Sequence, residues 1–299
     1  MKSVWILTSE APDNEQHVNR DALISEGTLG GQYENIKLFD EFKSRNFNVS
    51  IMDPSKIFID KNLPDIALIR TTNGNSVKTL QLLKKLNVKC VNDIDAHLTC
   101  ADKPKQLEIL NKHGVKIPKT KIIDIPFDEN ELNDITLPIV VKPISSQRGE
   151  LVKLCQTVDD IYIHCKKIQI RFPKQRKAIF QEFIEGPIIV AWVIGKNPID
   201  AQIRYAKSDN DFFISNSRSD GIRHSYKITD ELKHIIIKAV TALNIDIAKI
   251  DIFKSINGYM ICEVNSPGGF SGRDEYLSTN HANDIVTYIS CLLYTSPSP

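Results

Sequence analysis

The chain has 299 residues, 41% of them apolar, and a formal net charge of +1. That size and apolar content suit one large core or two to three smaller ones. Lys and Arg are spread evenly, which argues against nucleic-acid and anionic-membrane partners. The longest apolar run, residues 188–194, is far shorter than a membrane span, and the start MKSVWILTSEAPDNE holds too short an apolar run for a signal peptide. Cys90, Cys100, Cys155, Cys165, Cys262 and Cys291 form no CxxC or close pair, so they read as reduced thiols of a cytoplasmic protein.

In chain order, residues 4–7 read as a buried strand. Residues 8–33, polar and carrying Gly27, Gly30 and Gly31, are too long for an ordinary connection and either cover a substrate or form a surface insertion. An amphipathic helix at 36–45, strands at 49–52 and 66–70 and a helix at 77–86 give a βαβ rhythm, which implies a small parallel sheet extending to about Asp93. Asp102 then caps a helix with Pro104 in its first turn and Gly114 as its stop. Strands are expected at 119–123, 139–142, 178–184, 188–194 and 199–206, with a helix near 157–169. Thr229 opens a helix whose Leu232, Ile235, Ile236, Ala239, Val240 and Leu243 recur at helical spacing. A hairpin at 248–265 and a helix at 282–292 follow, and residues 293–299 (LYTSPSP) are set aside as a disordered or non-native tail.

Several chemistries are excluded. The chain has no GxxxxGK phosphate loop and no GxGxxG after a strand. Arg273 stands where a nucleophile elbow needs glycine, and the seven histidines show no metal-ligand spacing. The polar content of the last hairpin is more informative. In "AKIDIF" and "ICEVNSPGG", Asp251, Glu263 and Asn265 sit on strands that are otherwise apolar. A two-residue Asn257-Gly258 loop would set Asp251 against Val264. A three-residue loop with Gly258 at positive φ would set Asp251 against Glu263 and bring Asn265 to the same face. Two facing carboxylates repel unless a cation lies between them, and hard oxygen ligands with room for water suit Mg²⁺, with Mn²⁺ as the alternative ion.

These residues carry a resemblance. Asp251…Glu263-x-Asn265 resembles the metal-ligand set of the ATP-grasp superfamily, in particular the ribosomal-protein S6 glutamate ligase and bacterial glutathione synthetase type of ligase. "LPDIALIR", "VNDIDAHLTCADKPKQLEILNKHGVKIPKT", "VVKPISSQRGELV", "IFQEFIEG" and "ICEVNSPGG" resemble pieces of that family in the family's order. The resemblance implies a mixed α/β fold with three parts. An N-terminal parallel α/β domain spans 1–93, and an ATP-grasp domain spans 94–292. Within the latter, a lid at about 115–183 closes on an antiparallel-sheet subdomain, with the nucleotide in the cleft. It implies Lys103 and Lys142 at the α- and β-phosphates and a phosphate-covering loop with Gln147, Arg148 and Gly149. It places Glu182, Phe183 and Ile184 at the adenine edge, Arg204 at the reacting phosphoryl or acyl group, and Asn216 on the γ-phosphate side.

The implied activity is an ATP-dependent carboxylate–amine ligase that works through an acylphosphate and adds an amino acid to an amino-acid or peptide substrate. The departures are a phosphate loop that keeps only Gly149 and an Ile188-Ile189-Val190 stretch where the family commonly has Asp-Ile-Arg. They motivate two alternatives, a catalytically weakened ATP-binding regulatory module and an ATP-grasp kinase. Whether the chain forms a homo-oligomer stays open.

Overall fold

A computed structural model describes residues 1–9, 30–57, 62–71, 76–146, 149–205, 222–270 and 279–295. The N-terminal part is a parallel four-stranded sheet of order β2-β1-β3-β4, made of β1 (Ser3–Leu7), β2 (Asn48–Met52), β3 (Ile66–Ile69) and β4 (Cys90–Val91). Helix α1 (Gly30–Ser44) begins six residues earlier than its periodicity suggests, so the end of the long polar segment is helical. Helix α2 (Val77–Lys85) follows β3. Two elements here lack a sequence signal: the two-residue β4, which exists through pairing with β3, and α3 (Ile94–Ala101), capped by the Asp93 carboxylate.

Asp102 caps α4 (Lys103–Lys112) by accepting from the Lys105 N–H at 3.1 Å, as expected. A second, antiparallel sheet of order β5-β8-β6-β7 comprises β5 (Thr120–Asp124), β6 (Ile139–Pro143), β7 (Lys153–Cys155) and β8 (Lys177–Glu182). Helix α5 (Val158–Arg171) packs on it, and Ile123, Val141, Ile161, Ile168 and Phe180 share an apolar core of their own.

The third sheet, antiparallel and of order β11-β10-β9-β12-β13, comprises β9 (Ile188–Ile194), β10 (Asn197–Tyr205), β11 (Ile222–Ser225), β12 (Ile247–Ser255) and β13 (Gly258–Asn265). The apolar run at 188–194 is its central strand, and all seven residues are buried. Ile189, Ala191 and Val193 pack with α6 (Asp230–Ala242), through Leu232, Ile236, Ala239 and Val240. On the other face Trp192 and Ile194 meet Leu38 and Phe42 of α1 and Ile285, Val286 and Ile289 of α7 (His281–Tyr294). A strand covered on both faces reads as continuously apolar rather than alternating. Helix α7 runs two residues beyond the expected 292, with Leu292 and Leu293 against this core, so the start of the sequence-defined tail is helical. No helix among the described residues is long and apolar enough to cross a membrane.

Candidate active site

Asp251 lies opposite Glu263, and Lys249 opposite Asn265. The expected register is present but arises differently from the three-residue loop inferred above. Ser255 pairs with Gly258 across a two-residue Ile256-Asn257 connection, with Gly258 at φ 94°, and a β-bulge between the Ile252–Ile261 and Asp251–Glu263 pairs leaves Cys262 as the extra residue. The bulge has a clear effect on side-chain direction. Tyr259, Ile261 and Val264 enter the core shared with α6, so the interval between core residues lengthens from two to three at Cys262. Simple alternation would have sent Glu263 into that core with Ile261; the inserted residue turns it to the opposite face, beside Asp251.

Pairing carries this face across the sheet. One row contains Gln202, Val190, Asp251 and Glu263, and a neighbouring row contains Arg204, Ile188 and Phe253. The Ile188-Ile189-Val190 departure therefore has a structural meaning: Ile188 and Val190 form a buried apolar floor between the Arg204 strand and the carboxylates. Arg204 is buried and donates from Nε to Gln202 Oε1 at 3.1 Å. That bond orients the buried Gln202 amide, whose Nε2 has no hydrogen-bond partner among the described residues.

Three ammonium groups converge on the carboxylates. Lys103 Nζ, at the start of α4, is 3.5 Å from Glu263 Oε2, and Lys249 Nζ is 3.8 Å from Asp251 Oδ2. Lys142 on β6 is buried and donates to Gln181 Oε1 at 2.9 Å, and the Gln181 amide in turn donates to Thr120 Oγ1 at 3.0 Å. Burial alone would raise the Glu263 pKa, but Lys103, Lys142 and Lys249, with a hydrogen bond from Asn265, hold it below the ordinary value. Burial pushes the Cys262 thiol up to about 12. Lys249 was not singled out from the sequence, although its position two residues before Asp251 on a strand places both on one face.

Of the other expected site residues, Glu182 ends β8 and accepts from the Lys119 N–H at 3.1 Å; Phe183 and the buried Ile184 follow the strand instead of extending it to 184. Gly149 is described, whereas Gln147, Arg148 and Asn216 lie outside the described residues.

The segment after β13 is held by the N-terminal part. Asn92 Nδ2 donates to Ser266 Oγ and to the Ile247 carbonyl, both at 2.7 Å. His97 bridges Ser266 Oγ at 2.9 Å and the Thr71 carbonyl at 2.7 Å. Burial, together with the Arg70 charge, lowers the His97 pKa against the opposing Thr71 bond. Arg70 pairs with Glu34, donates to the Gly268 carbonyl at 3.4 Å and stacks on Phe270 with 5.4 Å between guanidinium and ring centre, while Glu34 accepts from the Phe270 N–H. Gly268 has φ 63°, and a Cβ there would lie 2.4 Å from Lys249 Cβ. A glycine at 268 is thus needed for the close approach to Lys249.

The donor set fits a hard divalent cation. Asp251 and Glu263 offer carboxylates, and Asn265, which donates from Nδ2 to Asp251 Oδ2 at 3.2 Å, could offer its amide oxygen. No group of three or more His, Cys, Asp or Glu side chains with metal-holding geometry occurs among the described residues. Two carboxylates and an amide leave positions for water and phosphate oxygens, the mode Mg²⁺ prefers.

A mixed α/β architecture of one parallel and two antiparallel sheets, with a lysine-rimmed carboxylate pair, is the arrangement of the ATP-grasp fold. Residues 100–289 match the RimK-like ATP-grasp domain, and the chain belongs to that family. A probable alpha-L-glutamate ligase of Shewanella denitrificans is 24% identical over 298 residues, covering 90% of this chain and 97% of the relative. The D-alanine–D-alanine ligase of Bacillus anthracis complexed with ATP has the same fold, with a TM-score of 0.74 at 14% identity over 98% of this chain and 97% of that one. The ATP-grasp ligase PsnB, solved with a minimal precursor, Mg and ADP, gives 0.69 at 14% identity over 96% of each chain.

Proposed function

We propose that this chain activates a carboxylate with ATP and joins it to the amine of an amino acid, the carboxylate belonging to an amino acid or a peptide. The observation that carries this reading is the convergence of Lys103, Lys142 and Lys249 on the Asp251–Glu263 pair. Family membership favours ligation over the kinase and the regulatory module.

In this reading Lys103 and Lys142 bind the α- and β-phosphates as compact point charges. The loop with Gln147, Arg148 and Gly149 covers the phosphates, and Glu182, Phe183 and Ile184 border the adenine. Asp251, Glu263 and Asn265 would hold Mg²⁺, or Mn²⁺ in its place, and the ion would supply positive charge to screen the nucleotide phosphates. Arg204, oriented by Gln202, stabilises the oxygens of the γ-phosphoryl group as it moves to the substrate carboxylate, and then the oxyanion formed when the amine attacks. Asn216 contacts the γ-phosphate side. The amine displaces phosphate, leaving an amide, ADP and inorganic phosphate.

The domain reading accompanies this mechanism: an N-terminal domain at 1–93 and an ATP-grasp domain at 94–292, with a lid at about 115–183 hinged near 181–186. Support comes from the separate apolar core of the β5-β8-β6-β7 sheet. A cytoplasmic setting is supported by six free thiols.

The test is a matrix of amino acids and short peptides with Mg–ATP, read by ADP release and product mass. Turnover that requires both a carboxylate and an amine, with a product formed by loss of water, supports the proposal. A stable phosphorylated product would replace it with a kinase, and binding without turnover with a regulatory module.

A further inference from the structure

Glu34 and Arg70 form an ion pair whose side chains are 3% and 5% exposed. Arg70 directly follows β3, and its N–H donates to the Leu7 carbonyl at 2.7 Å, so it sits where β1 and β3 end side by side. Asn35 donates from Nδ2 to Thr8 Oγ1 at 3.0 Å and accepts at Oδ1 from Arg70 Nε at 3.3 Å, which extends the network across both strand ends. The sheet order β2-β1-β3-β4 changes direction between β1 and β3, and open α/β sheets bind ligands beyond the carboxyl ends of strands at such a point.

A buried ion pair is a poor way to gain stability, because desolvation offsets the attraction and apolar residues of similar volume often serve as well. The partners of this pair are specific. Arg70 reaches the Gly268 carbonyl, Glu34 receives the Phe270 N–H, and a Cβ on the intervening Gly269 would lie 3.0 Å from Glu34 Oε1. Residues 268–270 begin three positions after Asn265. The pair therefore grips the backbone that leaves β13, from the point where the N-terminal sheet changes direction.

We propose that Glu34 and Arg70 are positioning residues for the substrate side of the ligation, fixing residues 268–270 against the amino-acid or peptide substrate while leaving nucleotide binding to the lysines. This inference rests on the ligase reading. Arginine is required for its planar fork, since a lysine keeps the charge but cannot serve Glu34, Asn35 and the Gly268 carbonyl at once.

The test uses the full chain with Arg70→Lys, which keeps Glu34 compensated, and Glu34→Gln, which keeps an acceptor for the Phe270 N–H. A doubly neutral Glu34→Gln/Arg70→Gln protein replaces either variant that fails to fold. The expected result is a fall of about tenfold or more in kcat/KM for the carboxylate and amine substrates, the size expected of misplaced reacting groups, with KM for ATP within about threefold of the parent. Amide exchange at 266–270 should also accelerate, a readout that needs no turnover. Unchanged substrate kinetics and exchange would overturn the proposal. A parallel decline of ATP affinity, substrate kinetics and melting temperature would overturn it too, by showing a general structural role. If the parent forms no C–N bond, the ligase reading itself fails, and unchanged exchange at 266–270 would remove the positioning role separately.

Discussion

Asp251 and Glu263 face each other across β12 and β13 because Cys262 is bulged out of the ladder between them. The pair is a property of register, and one missing residue would separate it. Its function as a cation site is tested by Glu263→Gln, which keeps the shape and removes the charge. ATP with Mg²⁺ should stabilise the parent more than ATP alone, because a ligand that binds only the folded state raises its stability. The variant should lose most of that Mg²⁺-dependent increment in thermal melts. An increment of equal size in the variant would take Glu263 out of the site.

Lys142→Ala should weaken ATP binding by roughly 10- to 100-fold, the range expected when a hydrogen bond to a charged group is lost. The fold should persist, since Gln181 keeps its bond to Thr120. Calorimetric titration with ATP measures this; unchanged affinity would exclude Lys142 from the phosphates.

Gly268→Ala should destabilise the protein by about 1–3 kcal/mol through backbone strain at positive φ, with a further steric cost against Lys249. Denaturant titration measures the loss. An unaffected midpoint would mean that the 266–270 segment relaxes freely, and the close packing drawn between Gly268 and Lys249 would be wrong.

Stability should fall as the solution is acidified, in two windows. His97 and His164 have pKa values lowered below 6.5, mainly by burial, so the unfolded chain binds protons that the folded chain resists. Their contribution is complete above pH 6.5 and is lost as pH falls below it. Glu263 has a folded pKa below 4.5, so its contribution is present above that value and is lost on further acidification. Melting temperature followed from pH 8 to 4 should be flat at first and begin to drop near the histidine window. A maximum below pH 6 would contradict this account.

Much of this architecture was legible in the chain. The apolar run at 188–194 announced a strand, though not that both its faces are covered, and Asp102 and Thr229 marked helix starts that they do cap. The Asp251–Glu263 pairing was reached by the wrong route, through a three-residue loop, because a bulge residue such as Cys262 carries no compositional mark. The strands β4, β7 and β11, two to four residues each, are defined by their partners and not by their own pattern. Lys249 could have been found from its spacing to Asp251. Gln202, Glu34 and Arg70 could not, since what makes them notable is burial against residues distant in sequence, as in the contact of Arg70 with Gly268.

Activation of a carboxylate by phosphoryl transfer before amide formation can be followed through the fate of its oxygen. With the carboxylate substrate labelled with ¹⁸O, the inorganic phosphate released in one turnover should carry one ¹⁸O atom, transferred when the acylphosphate C–O bond is cleaved by the amine. Phosphate without label, released alongside amide product, would show that no acylphosphate forms and would contradict the mechanism.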